Sequence, residues 1–192
     1  MDKFMLIINI PQFMQFQTCE FPGIVECLPT KYPDERGHFY ESYNQKKFSE
    51  IGISENFVQD NFSYSIKGVI RGLHFQHNPK GQGKLVRCMT GSVMDVVVDL
   101  RKDSPTFGKY KSIFLNAELG NMLYVPVGFA HGFIALENTI FVYKCTEFWN
   151  KESEDGIRYD DPSLNIQWGE KNPIVSGKDL ELPLFDPNKS YF

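Results

Sequence analysis

Two β-prone runs, residues 84–90 and 92–100, are separated by the single residue Gly91. In the second, Met94, Val96, Val98 and Leu100 fall on one face and Val93, Asp95, Val97 and Asp99 on the other, because strand side chains alternate with period two. Such a run fits a strand of a packed barrel or sandwich. Further strands are expected at 111–115, 122–125, 133–136 and 139–146, with Glu137-Asn138 as a tight hairpin turn. Residues 44–51, closed by Gly52, form the best short helix. Many short strands with Gly and Pro between them predict a mainly β, double-sheet jelly-roll barrel with a few short helices. From about Asn150 the chain turns polar, with Pro162, Pro173 and Pro183, and is expected to wrap the barrel as irregular structure. At 192 residues and 42% apolar content the chain is long enough for one substantial core and short for two, so a single domain over 1–192 is predicted.

A net charge of -4 argues against nucleic acid or anionic membrane as the main partner, since both select basic surfaces. Cys19, Cys27, Cys88 and Cys145 are scattered without a CxxC pair, which suggests neither a zinc site nor a disulfide framework. In residues 1–16 the longest apolar run is 4–8, broken by Asn9 and Pro11, with no small-x-small cleavage site after it. That is far below the roughly 20 residues of a membrane span. A soluble, cytoplasmic protein is expected.

Several residues could carry chemistry. Alternation through 71–76 (RGLHFQ) places Gly72, His74 and Gln76 on one face and Arg71, Leu73 and Phe75 on the other, a pattern suited to a lined cavity. His131 lies among apolar and small residues in 128–133 (GFAHGF), where a buried imidazole must be hydrogen-bonded. His38 and His77 lack this context and are expected at the surface. Arg36 and Arg71 each precede a Gly, and a guanidinium fork beside permissive backbone suits phosphate or carboxylate, although each alone is more often a solvated surface Arg. Gln59-Asp60-Asn61 reads equally as a turn or strand end, and Tyr143 as a core aromatic.

The spacing Gly120, Pro126, Gly128, His131 resembles the second signature of the cupin barrel, and Gly68, His74 and Gly91 give the skeleton of the first. Metal-binding cupins place a second His two residues after the first and a Glu seven residues before the closing Gly. Gln76 and Lys84 stand at those positions. A fixed cation where a carboxylate would hold one points to an anion stabilised without metal or redox chemistry.

Segments 34–43 (DERGHFYESY), 57–63 (FVQDNFS), 69–76 (VIRGLHFQ), 82–88 (QGKLVRC), 95–108 (DVVVDLRKDSPTFG), 126–133 (PVGFAHGF), 142–146 (VYKCT) and 176–179 (SGKD) together resemble the dTDP-4-dehydrorhamnose 3,5-epimerases. The resemblance implies a cupin-type fold and cofactor-independent epimerisation at C3 and C5 of dTDP-4-dehydro-6-deoxy-D-glucose, giving dTDP-4-dehydro-L-rhamnose. It implies His74 as base, Asp179 as its orienting partner, Tyr143 as opposing acid and Lys84 as enolate stabiliser. Arg36 and Arg71 would hold the pyrophosphate, with Glu41, Gln59, Asp60, Asn61, His131, Glu154 and Lys178 completing the contacts. The aromatic that stacks on the base, usually Tyr, is Trp149 here, preceded by Phe148. The family's homodimers exchange N-terminal strands, a role open to residues 1–18. Neither metal nor cofactor is implied. The competing readings are a C3-only or C5-only epimerase of a related nucleotide sugar, a metal-dependent cupin, and a non-enzymatic sugar-binding cupin.

Overall fold

Gly91 turns the chain out of one sheet and into another. In the computed structural model, which describes residues 7–10 and 13–192, the strands are β1 (Ile7–Ile10), β2 (Met14–Thr18), β3 (Val25–Pro29), β4 (Tyr32–Asp34), β5 (Gly37–Phe39), β6 (Gln59–Ser65), β7 (Ile70–Gln76), β8 (Lys84–Thr90), β9 (Ser92–Asp99), β10 (Tyr110–Asn116), β11 (Met122–Val125), β12 (Phe129–Ala135), β13 (Thr139–Cys145) and β14 (Glu154–Gly156). Two short helices, α1 (Gln45–Ser49) and α2 (Gly177–Leu180), accompany them. The larger sheet runs β1-β2-β3-β11-β8-β13-β6, the smaller β10-β9-β12-β7-β14, and β4-β5 is a separate ribbon. This is the jelly-roll arrangement expected from the strand pattern. The N-terminal hairpin extends this chain's own larger sheet through β2–β3 pairing; residues 1–6 of the predicted N-terminal extension lie outside the described residues.

Alternation explains how both faces of β9 and β12 come to be buried. Val93 and Val97, with Phe129 and Phe133, face the larger sheet and meet Val86, Leu123 and Phe141 in the inner core. Val96, Val98, Ala130 and Ile134 face outward and are covered by Ile157, Leu164, Ile166 and Trp168 from the C-terminal wrap. A third cluster covers the outer face of the larger sheet, where Phe48 of α1 seals Phe13, Phe16 and Met122. Asn44 caps that helix by accepting from the Lys47 N–H, and Phe48 is its one buried residue. Burying such a ring contributes roughly 1.5–3 kcal/mol, which is what holds a five-residue helix in place. The four cysteines are free thiols; burial pushes Cys88 up to about 12, keeping it protonated and unreactive. Among the described residues no helix is long and apolar enough to cross a membrane.

Three expectations are corrected. Glu137-Asn138 does not close a hairpin: β12 pairs with β7 and β9, β13 with β6 and β8, so the link crosses between sheets. It packs against the other crossing, where a Cβ on Gly91 would lie 2.6 Å from the Asn138 carbonyl oxygen. His77 is not a surface residue; its ring is half-buried and held by Asp155 at 2.8 Å and by the Tyr191 carbonyl at 3.1 Å.

The third correction decides the site. Opposite β12, His74 pairs with His131 but Arg71 pairs with Phe133, so three steps on β7 face two on β12. The extra residue is a β-bulge, and it inverts the alternation. Ile70, Leu73 and Phe75 therefore point to the outer core, while Arg71 joins His74 on the inner face instead of opposing it. Gly72 permits this: its φ is +124°, and a Cβ would meet Gly132 Cα at 2.6 Å and the His131 carbonyl oxygen at 2.9 Å. Gly72→Ala is expected to lose about 1–3 kcal/mol in urea unfolding, as overpacking does.

Candidate active site

Six strands, β6, β7, β8, β12, β13 and β14, and one short helix line a cleft built from two lobes. One lobe, of about 400 Å³, is lined by Arg71 and His74 from β7, His131 from β12 and Asp179 and Lys178 from α2. The other, of about 540 Å³, adds Gln59 and Asn61 from β6, Glu154 from β14 and the rings of Phe148 and Trp149. His74, Lys84 and Tyr143 line both lobes, so they stand where the two meet.

His74 Nε2 lies 2.9 Å from Asp179 Oδ1. Asp179 is buried in α2, whose N-cap Ser176 accepts from the Asp179 N–H, and its second oxygen accepts from the Gly72 N–H at 3.2 Å. Burial pushes the Asp179 carboxyl upward, but the His74 hydrogen bond and charge with the Gly72 N–H outweigh it and hold the group below the usual carboxylate range. An ionised carboxylate only accepts, so Nε2 carries the proton and Nδ1 is left with a lone pair. The imidazole is thereby set as a base. Asp179→Asn should slow proton exchange by roughly ten- to a hundredfold, as loss of an orienting partner does, while leaving the imidazole in place; initial-rate exchange on the folded variant measures it.

Lys84 stands at the first residue of β8. Burial pushes its ammonium pKa down, with Cys145, Asp95 and Glu154 opposing. Among the described residues it forms no ion pair within 4 Å, so its charge is available to the cleft. Asp95 instead binds His131 Nε2 with both oxygens, at 2.9 and 3.1 Å. Burial raises the Asp95 carboxyl against the pull of His131 and Lys84. The Tyr143 phenol is pushed up chiefly by burial and stays protonated, a donor at neutral pH.

The remaining predicted contacts divide. Arg71 is brought in, its guanidinium anchored by Ser65 Oγ at 2.9 Å and the Tyr64 carbonyl at 3.0 Å. Lys178 and Glu154 pair at 2.8 Å across the lobes, and Gln59 donates to Asn61 at 3.0 Å. Asp60 is turned away between them, since period two puts it on the opposite face, where it pairs with Lys144. Arg36, with its side chain 82% exposed, pairs with Asp34 in the β4–β5 turn, and Glu41 pairs with Asn44 and Lys47; neither lines this chain's cleft.

Two residues escaped sequence reasoning as functional. Asp95 fixes the tautomer of His131; its signal is a carboxylate between two valines on the inward face of an apolar strand. Gln76 holds loop backbone, a use with no local sequence mark. Nε2 of both His74 and His131 is engaged by carboxylate, and among the described residues no group of three or more His, Cys, Asp or Glu could hold a metal ion.

Residues 18–187 match the family model described as dTDP-4-dehydrorhamnose 3,5-epimerase. The chain belongs to this family. The Shigella flexneri dTDP-4-dehydrorhamnose 3,5-epimerase is 52% identical over 163 residues, 84% of this chain and 90% of that protein. Among solved structures, the family's enzyme from Elizabethkingia anophelis superposes with a TM-score of 0.85 at 44% identity, covering 97% of this chain and 99% of that one. A Legionella pneumophila dTDP-6-deoxy-D-glucose-3,5-epimerase, solved with dTDP-4-keto-L-rhamnose, gives 0.82 at 44% identity, covering 94% and 92%.

Proposed function

We propose that the chain epimerises dTDP-4-dehydro-6-deoxy-D-glucose at C3 and C5, giving dTDP-4-dehydro-L-rhamnose. The observation that carries this reading is that a carboxylate-set imidazole, an unpaired ammonium and a protonated phenol line one cleft. The C4 ketone acidifies the neighbouring C–H bonds. Nδ1 of His74 takes the proton, and the C–H electron pair moves into the carbonyl to give an enolate, whose charge Lys84 stabilises. The enolate then takes a proton from Tyr143 on the opposite face, which inverts the carbon. The substrate's own carbonyl is the electron sink, so the chemistry calls for no cofactor.

Arg71 beside Lys178 suits the diphosphate, and Phe148 and Trp149 offer the nucleobase a stacking face. Arg36 and Glu41, outside their own cleft, would serve the cleft of a second copy. A homodimer formed across the exposed edge strand β6, where Phe62 and Tyr64 face solvent, accommodates that role.

The test is deuterium uptake from solvent into the dTDP-4-keto sugar. Label at C3 and C5 with an L-configured product is expected. Inversion at one carbon alone would reassign the chain to a mono-epimerase, and no exchange would end the reading. Lys84→Met should lower turnover more than it weakens binding, because negative charge on the ketone oxygen develops mainly in the transition state. A pure binding defect would move Lys84 to the diphosphate.

A further inference from the structure

The rings of Phe148 and Trp149 are 61% and 55% exposed, so packing does not hold them. The Trp149 side chain hydrogen-bonds Glu154 and the Phe148 N–H donates to Glu147, and the rest of the backbone hold comes from glutamines. Gln82 donates to the Glu147 carbonyl at 2.8 Å, and Gln59 accepts from the Trp149 N–H at 2.8 Å. Gln76 grips both sides of Trp149: its Nε2 donates to the Phe148 carbonyl at 3.2 Å and its Oε1 accepts from the Asn150 N–H at 2.8 Å. The same Nε2 also donates to the Lys80 carbonyl at 2.6 Å. Gln76 is 3% exposed and sits two residues beyond His74 on β7.

From this geometry we infer that Gln76 is the positioning residue of the aromatic wall, fixing where a nucleobase stacks relative to the His74 imidazole; the inference rests on the nucleotide-sugar reading above. An exposed ring left free to swing must be ordered when the ligand arrives, which weakens binding, whereas a clasped one is ordered beforehand. Gln76 makes no use of its amide toward the cleft, because its donors and its acceptor are engaged by loop backbone. Its effect therefore falls on the part of the ligand that stacks. The diphosphate, served by Arg71 and Lys178 in the other lobe of the cleft, is left alone.

The experiment compares wild type, Gln76→Met and Gln76→Glu in calorimetric titrations with dTDP and with inorganic pyrophosphate, which has no ring to stack. Gln76→Met should weaken dTDP binding by about tenfold or more while pyrophosphate binding stays within about twofold. With the keto sugar, KM should rise and saturated turnover hold, the pattern of lost uniform binding. Gln76→Glu, which keeps the acceptor for Asn150 and loses the donors, should fall between, and it serves as the folded variant should Gln76→Met fail to fold. Acrylamide quenching gives a ligand-free readout, since Trp168 is buried and the quencher reports Trp149; quenching should rise in both variants. Unchanged dTDP affinity, or equal loss for both ligands, overturns the inference. A wild type that binds pyrophosphate but not dTDP sinks the nucleotide reading; unaltered quenching would then decide against the clasp as well.

Discussion

His74→Asn should abolish deuterium exchange at both C3 and C5, with a loss of roughly a hundredfold to ten-thousandfold, the range that general-base catalysis supplies. The expectation covers both carbons because one imidazole lines both lobes, and its only set lone pair is on Nδ1. His131 does not replace it. That ring is buried, and both Asp95 oxygens engage its Nε2 from a strand on the far side of β12 from β7. Asn fills part of the imidazole volume and can still hydrogen-bond Asp179, so the variant should fold and keep nucleotide affinity. Retained exchange at one carbon would require a second base for that carbon, and Tyr143 would be the first residue to test in that role.

The same structure shows which parts of the site a sequence exposes. His74 and Tyr143 can be placed on strands by alternation alone, and the runs around Gly91 lie almost where periodicity puts them. What alternation cannot supply is the partner. Glu137-Asn138 has the composition of a hairpin turn, yet two residues also suffice to cross between sheets, and long-range pairing decides between the two. Arg71 faces the cleft because Gly132, distant in sequence, accepts a bulge at Gly72. Asp60 is the reverse case: period two separates it from Gln59 and Asn61, and the family resemblance had drawn all three together. For Arg36 and Glu41 the resemblance implies substrate contact, while nothing in the residues says whose cleft they serve.

The ligand-position substitutions acquire separate physical meanings. Lys84 places an ammonium where the two lobes of the cleft meet, with Asp95 near enough to oppose its desolvation. Gln76 spends its amide on the backbone of Lys80, Phe148 and Asn150. Metal ligation in the related barrels depends on neutral imidazoles with free lone pairs converging on one point. Here the bulge and α2 bring a carboxylate to one imidazole and β9 brings a carboxylate to the other. The scaffold that arranges ligands thus arranges hydrogen bonds, and a lysine stands among them where the two lobes meet.

Tyr143→Phe should separate inversion from exchange. The ring packs against the inner core beside Phe141, with centroids 6.4 Å apart, so removing one hydroxyl leaves the fold and the wall of the cleft intact. Burial keeps the phenol protonated, and in the proposed mechanism the proton it carries is the one that inversion needs on the face opposite His74. A phenylalanine has none to give. His74 would still remove the substrate proton, exchange it with solvent and return a deuteron to the same face, so label should enter the sugar while its configuration is retained. Exchange is expected to fall modestly and net inversion by roughly a hundredfold or more, the lower range of general-acid catalysis. Both are read on one sample of the folded variant, as deuterium content by mass spectrometry and product configuration by NMR. A tyrosine that only packs would lower both quantities together through stability, and normal inversion by Tyr143→Phe would leave the proton donor to water or to another residue.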